Sequence, residues 1–569
     1  MSRGCTLGSP ATVFVAATVG LLFGMTIAPG ASLTSLNSSE YTELVEQVTR
    51  LELQLQKWRR QNSTNSKTKR HSHNLPNHSI DPKVQLKNLE LAIESIKAAR
   101  SKICHEYRLE ETEMKDSFWE AGNSRAKTVS RIQASIAIGG TFIVAFTGMS
   151  VCAGHGSLFN ESYPMVFDSV LRPEFEKVGV RFTTRNQCMG GTYTFPYAWC
   201  ISNIAGDDVD VVAWDFGMME AGRQWITEGW AQQVLKMPSK PGMLFMAGYD
   251  NDPLRSIGLT EKPVHGDTFR LEIAKRFADQ ARVPVQGFGP ALSLMHKYKS
   301  KQIPKDTGSA NFVDIETKDP SEIVPESLKD LRWYSTTGLP GVASWHPAPR
   351  EHAISGKFLA FSYLGLLLEA VEAEIKRLSS QSVPPPPKLS ELIKDQSNDL
   401  NSSICDAHSV MGCHTTYQCV TSYEPRQGNG LVDTIETDEY QRVIPPGDTS
   451  SIERVIKTGA GYLDRKYSWT GNKTNGPLSF RLHHVSKNGQ VIVCEPTFGW
   501  EKPPGIVDLT KDVIYYLDGK ELQLPTTQVA ELTKQCVVVS KSAPPGGHHL
   551  EMIPRSEGLK MYVAQLLWS

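Results

Sequence analysis

Residues 141–156 read T-F-I-V-A-F-T-G-M-S-V-C-A-G-H-G. The first seven are apolar or β-branched and show no polar alternation, which predicts a strand covered on both faces, as in a parallel sheet. That strand runs directly into Ser150. A side chain at the carboxyl end of a parallel strand sits in the crevice where α/β sheets bind ligands. Gly154 and Gly156 come next, permitting a tight turn and close approach of a ligand.

Three more short apolar runs lie downstream: V-D-V-V-A-W around Val211, G-M-L-F-M-A from Gly242 and V-P-V-Q-G-F from Val283. Between them, Ala221 to Met237 and Asp267 to Ala281 read as amphipathic helices. A last helix, about Gly356 to Ser380, puts Phe361, Leu364, Leu368, Val371, Ile375 and Leu378 on one face. Acids follow Leu368, so packing on the sheet is expected rather than a membrane span. Residues 138–380 are therefore predicted to form an α/β domain, a parallel sheet with helices on both faces.

The run S-V-P-P-P-P-K at Ser382 to Lys388 closes this domain, and 381–400 is expected to be a stiff polyproline spacer. Residues 401–569 have another texture. R-V-I at Arg442, F-R-L at Phe480, Q-V-I-V-C at Gln490, D-V-I-Y-Y-L at Asp512 and Q-C-V-V-V at Gln535 are separated by Gly, Pro and Asn turns. Many short strands with turn signals predict a β-rich, sandwich-like domain. Its five cysteines, Cys405, Cys413, Cys419, Cys494 and Cys536, leave one over if all pair locally.

Upstream, Ala11 to Ala28 is an uncharged apolar stretch. A signal-anchor helix over 11–32 behind a cytoplasmic tail of 1–10 is the first reading, giving a single-pass type II protein of the Golgi or secretory lumen. The second is a cleaved signal, with A-P-G-A at Ala28 to Ala31 as the cleavage site, giving a secreted protein. Sequons at Asn37, Asn62, Asn77, Asn160, Asn401 and Asn472 agree with either route. Residues 33–137 read as a coiled-coil stem. Tyr41, Leu44, Val48, Leu51, Leu55 and Trp58 form one heptad seam; Leu86, Leu89, Ile93, Ile96, Ile103 and Tyr107 form a second, broken by Arg100. Such seams need a partner, so a homodimer through the stem or an intramolecular hairpin is expected. The run from Lys57 to Ile80 holds six Lys/Arg and no acid, and reads as a solvated linker, with a processing site or an anionic polysaccharide contact as alternatives.

The 569 residues carry 60 Lys+Arg against 61 Asp+Glu, a formal charge of −1. That balance excludes a globally basic nucleic-acid binder, and no nucleic-acid motif, Walker loop, dinucleotide fingerprint or zinc module appears.

A serine hydroxyl needs a base to take its proton. The candidate supplier is W-H-P-A-P-R-E-H, with His346 and His352, just before the last helix. Serine after the first strand and histidine before the last helix is the chain order of the SGNH, or GDSL-type, hydrolases, which this sequence resembles over about 240 residues. G-M-S-V-C-A-G-H-G resembles that family's G-D-S-x-x-x-G-x-G block, with Ser150 at the nucleophile position. R-N-Q-C-M-G-G resembles its second block, so Gly190 or Gly191, with the Ser150 amide, would serve the oxyanion hole. W-D-F-G-M-M-E falls where the family has G-x-N-D. W-H-P resembles its last block, with His346 at the base position. The resemblance implies a flavodoxin-like sheet, no cofactor, no metal and esterase or acyltransferase chemistry on O-acylated glycans or similar esters.

Departures from the pattern are equally specific. Met149 replaces the first block's acid, Met219 stands where the family's asparagine donates to the oxyanion, and Ala343 stands where the triad aspartate belongs. A Ser150–His346 pair would then need Asp330, Glu351 or a carbonyl to orient the imidazole. The second function class is a catalytically degenerate glycan-binding or scaffold membrane protein. His155, Met219 and His352 are candidate substrate contacts. The pairs His483–His484 and His548–His549 read as solvated side chains, since they lack metal-ligand spacing. Cys188 and Cys200 are candidates for a bridge, and Cys104 for an interchain link or burial in the seam.

Overall fold

The structure is a computed structural model that describes residues 82–217, 224–246, 275–288, 346–397, 415–436, 441–443, 465–496, 502–524 and 535–569, apart from a few single positions within those ranges. The segment 11–32, the first seam, the basic run, Asn37, Asn62, Asn77, Asn401, Met219, Asp330, Ala343, Cys405 and Cys413 lie outside the described residues.

The described chain begins with helix α1, Pro82–Tyr107, and edge strand β1, Trp119–Ala121. Next come α2 (Ser124–Ile138), β2 (Thr141–Gly148), α3 (Tyr163–Lys177) and β3 (Arg181–Asn186). Strand β4 (Val211–Asp215), α4 (Gln224–Leu235), β5 (Gly242–Phe245), β6 (Val285–Gly287) and the long α5 (Pro349–Leu378) complete the first domain. The sheet order is β1-β6-β5-β4-β2-β3, with β2 to β6 parallel and β1 antiparallel to β6. Counted on the parallel strands alone, this is the 2-1-3-4-5 order of doubly wound, flavodoxin-like sheets.

Both faces are covered, as the unbroken apolar run of β2 predicts. Phe142, Val144 and Phe146 point into one core with α1, α2, α3 and α5, while Ile143 and Ala145 point into a second. Strand β4 divides the same way, Val211 and Ala213 against Val212 and Trp214. The alternation is the two-residue pleat of a strand with apolar cover on each side. Helix α5 is long and apolar enough to cross a membrane, but it is mostly buried, packing across α1, α2 and α3.

Helix α1 corrects the expected stem. Leu89, Ile96, Ile103 and Tyr107, four of its seam residues, are buried in the first core of the α/β domain. Arg100, the break in the seam, lays its guanidinium 4.3 Å from the centroid of the Phe361 ring on α5 and pairs with Glu111 at 2.7 Å. The partner that the seam demanded is therefore α5 of the same chain, and the α/β body includes residues the sequence assigned to a stem. Cys104 packs half-buried against that same core.

The proline-rich run is also placed differently from a free spacer. Arg377 donates to the Pro384 carbonyl at 2.7 Å, and the Ser397 amide donates to the Ala281 carbonyl at 3.0 Å, so the connection stays on the α/β domain.

The C-terminal domain is antiparallel throughout its described strand pairings. Its strands are β7 (Gln418–Thr421), β8 (Tyr423–Glu424), β9 (Gln441–Val443), β10 (Arg465–Lys466), β11 (Ser468–Asn472), β12 (Leu478–Val485) and β13 (Gly489–Cys494). They continue with β14 (Val513–Leu517), β15 (Lys520–Glu521), β16 (Cys536–Ala543), β17 (Gly546–Pro554), β18 (Lys560–Val563) and β19 (Gln565–Trp568). Two four-stranded sheets, β12-β17-β14-β15 and β16-β13-β19-β7, share one core, beside smaller sheets β18-β11-β9 and β10-β8.

The sheet β16-β13-β19-β7 is covered twice. Val491, Val493, Val537, Val539 and Leu566 face the sandwich core, while Ile492, Cys494, Val538 and Leu567 join the second core of the α/β domain. The two domains thus share a continuous apolar interior.

Three disulfides are described, Cys152–Cys188, Cys200–Cys419 and Cys494–Cys536, which indicate an oxidising lumenal or extracellular environment. The candidate Cys188–Cys200 bridge is replaced by two others, and Cys419 pairs across the domain boundary. His548 is buried rather than solvated, its ring nitrogens 2.6 Å from Asp518 and 2.8 Å from the Pro544 carbonyl oxygen.

Candidate active site

The parallel register brings three strand ends level: Phe146 lies beside Asn186, and Gly148 beside Asp215. The loops leaving these strands therefore converge on one end of the sheet, at the switch point between β2 and β4, where ligands of doubly wound sheets bind.

Backbone hydrogen bonds fix the convergence. The Met149 amide donates to the Asp215 carbonyl at 3.1 Å, and the Met189 amide to the Gly148 carbonyl at 2.8 Å. No side chain fits at Gly148: a Cβ there would lie 2.7 Å from the Asp215 carbonyl oxygen and 3.1 Å from Cys152 Cβ.

Ser150 opens a single helical turn, Ser150–Ala153, whose end is closed by amides of Gly154 and His155 donating to the Ser150 carbonyl at 3.1 and 2.9 Å. The serine is 6 % exposed. Two further ties hold its turn to the loop after β3. Cys152 is disulfide-bonded to Cys188. Asn186 Nδ2 donates to the Cys152 carbonyl at 3.0 Å and to Ser162 Oγ at 3.2 Å, while its Oδ1 accepts from the Cys188 amide at 3.1 Å. Gly190, buried, and Gly191, exposed with φ +66°, end that loop. A positive φ there favours glycine over any residue with a Cβ.

His346, 5 % exposed, is carried over the serine turn by the segment that leads into α5. Its ring centroid lies 5.6 Å from that of His155, at 46°. Ser157 Oγ donates to the Pro347 carbonyl at 3.4 Å, holding the same segment. Ser150, His155, Gly190, Gly191 and His346 thus belong to one neighbourhood.

His352 sits deeper. It is 1 % exposed, and its Nδ1 accepts from the Tyr163 amide at 3.2 Å with the two rings stacked. Burial drives its pKa down to about 3, so the ring is neutral and carries its proton on Nε2. Tyr163 in turn donates its hydroxyl to Asp215 Oδ2 at 2.8 Å. His352 thereby packs against Tyr163 in the described structure. Glu351, in the first turn of α5, is buried as well. Asn160 is exposed on a short turn before α3, and Asn472 ends β11 half-buried, with Oδ1 accepting the Asn475 amide at 2.7 Å.

Asn186, Asp215 and Tyr163 escaped the sequence reading. Asn186 and Asp215 stand inside the two blocks R-N-Q-C-M-G-G and W-D-F-G-M-M-E, so the signal was present but was read only through glycines and Met219. Nothing local marks Tyr163.

No family model matches the chain, and no curated protein matches it. Among solved structures, the chain is similar to a two-domain esterase active on acetylated mannans, at 14% identity and TM-score 0.36, covering 79% of this chain and 95% of that one. The same esterase co-crystallised with mannopentaose gives 15% identity and TM-score 0.36, over 80% of this chain and 96% of that one. A tail fiber protein from an E. coli phage shows 7% identity and TM-score 0.26, over 77% of this chain and 48% of that one.

Proposed function

We propose that this chain is an SGNH-type esterase or acyltransferase acting on O-acylated glycans in the secretory pathway. The observation that carries the reading is Ser150 at the switch point, tied by Cys152–Cys188 to the Gly190–Gly191 loop, with the His346 segment laid against the same turn.

In this reading Ser150 Oγ attacks the ester carbonyl while His346 accepts its proton. Amides of Ser150 and of Gly190 or Gly191 hold the oxyanion. Collapse expels the alcohol, which takes the proton from His346, and water or a sugar hydroxyl then resolves the acyl-enzyme. Glu351 or Asp330 orients the imidazole, and His155 borders the acyl group. The apolar segment 11–32 anchors the protein in the membrane, and the sequons carry glycans.

The test is hydrolysis of p-nitrophenyl acetate and of acetylated oligosaccharides by the lumenal portion, with Ser150→Ala and His346→Ala beside it. Both substitutions are expected to lower turnover by about 10³-fold or more. Equal activity in wild type and Ser150→Ala would falsify the esterase reading and favour a glycan-binding scaffold.

A further inference from the structure

We propose that Lys466, a residue of the C-terminal domain, supplies a positive charge to the oxyanion formed at Ser150. This rests on the ester chemistry proposed above. In the sequence the family's asparagine donor is replaced by Met219, which cannot donate a hydrogen bond, so beside the backbone amides one position of the oxyanion hole is open to another donor or charge.

Lys466 is 6 % exposed, and its Nζ lies 3.7 Å from the point a Cβ would occupy on Gly191. A buried ammonium is thus held against the glycine turn that the Cys152–Cys188 bridge ties to the serine loop. A charge on a side chain as buried as this one acts more strongly on a nearby developing anion than it would from a wet surface. Its three donors ride on a flexible stem, so it needs no amide-like alignment.

The placement is not incidental to loose packing. Lys466 pairs in register with Tyr423 across β10 and β8, and Tyr423 is buried in the core that both domains share. One residue before β8, the Ser422 hydroxyl bonds to the Tyr467 carbonyl. Cys419, at the head of the same segment, is disulfide-bonded to Cys200, and its carbonyl accepts from Asn203 Nδ2 at 3.0 Å. Amides of Gln427 and Gly428 then donate to the Asn203 carbonyl at 3.1 and 2.7 Å. Covalent and hydrogen-bonded ties on both sides of β8 therefore hold the lysine to the α/β domain. The first domain supplies the serine and histidine; the second completes the electrostatics.

The test compares wild type, Lys466→Met, Lys466→Gln and Lys466→Arg in the full chain, with Ser150→Ala as control. Readouts are kcat and KM on p-nitrophenyl acetate, affinity for phenylboronic acid (which forms a tetrahedral anion on a nucleophilic serine) and the melting temperature. Lys466→Met and Lys466→Gln are expected to lose about 10²–10³ in kcat with KM changed by less than about two-fold, and to lose boronate affinity in parallel. Lys466→Arg should retain most of both. Gln keeps a donor without the charge and serves if Met does not fold. A kcat unchanged in folded Lys466→Met or Lys466→Gln, while Ser150→Ala is inactive, overturns this inference and leaves the esterase reading standing. A wild type that neither turns over ester nor binds the boronate more tightly than Ser150→Ala overturns both.

Discussion

His352, Tyr163 and Asp215 form a buried relay of contacts under the serine, from α5 through α3 to the end of β4. Its chemistry has a consequence for stability. The folded ring stays neutral down to about pH 3, whereas the same ring in an unfolded chain takes up a proton near pH 6.5. Stability from His352 is therefore present above pH 6.5 and is lost as pH falls from there toward 3, at up to about 1.4 kcal/mol per pH unit. Asp210, pushed up to about 6 by burial against the opposing pull of Arg131, works the other way, as does Glu495, pushed up to about 7 by burial despite Lys502. Both hold protons that the unfolded chain has released, so their contribution declines as pH rises through about 4 to 7. The comparison that isolates the histidine is His352→Asn, whose Oδ1 can still accept the Tyr163 amide. Thermal melts from about pH 7 to 4 should show a shallower acid loss in the variant; parallel curves would rule the assignment out. At this scale Ser150, Gly190, Gly191 and His346 stand out in the sequence as candidates because each sits in a block with its own turn chemistry, and the roles given them are those proposed above. The buried supports were not, since Tyr163 and His352 are defined only by what folds over them.

Helix α1 shows how one pattern can serve two architectures. An apolar seam spaced three and four residues apart specifies a partner helix but not which one. Arg100 was the discriminating residue: it stacks on Phe361 and reaches Glu111, an arrangement that needs α5 rather than a copy of α1. Removing residues 82–107 uncovers Leu89, Ile96, Ile103 and Tyr107, and by analogy with large-to-small core changes should cost several kcal/mol and bring aggregation, read by melting and size-exclusion chromatography. The parallel strands β2, β4, β5 and β6 were legible because nearly all their residues are buried, which leaves an unbroken apolar run. Strand β3 was missed for the opposite reason. R-F-T-T-R-N is the sheet edge, with Phe182, Thr184 and Asn186 buried and Arg181 in water.

Across the whole molecule, the sheet β16-β13-β19-β7 is the element that joins the two domains. Runs such as Q-V-I-V-C lack the alternation expected of a one-sided sandwich strand because this sheet has apolar cover on both faces. That texture is visible in the sequence, but contact between domains has no local signal, so the partner went unread. With a shared interior and a disulfide across it, the two domains should unfold in one calorimetric transition rather than two. Ile492→Asp or Leu567→Asp, each placing a carboxylate in that interior, should destabilise both domains together, by about 3 kcal/mol or more, seen as a lower melting temperature. Separate transitions, or a loss confined to the C-terminal domain, would contradict the shared core.

The crossing disulfide also sets an order of events during synthesis. Cys200 and Cys419 are 219 residues apart in the chain. At translation rates of about 5–20 residues per second, Cys200 reaches the lumen roughly 10–45 s before its native partner. Throughout that interval Cys188, already paired with Cys152 in the folded protein, is a near neighbour of Cys200 in the chain, and closure of Cys152–Cys188 removes it as a competing partner. The native pairing thus asks Cys200 to stay reduced, or to be reshuffled, until the domain that carries Cys419 has been made.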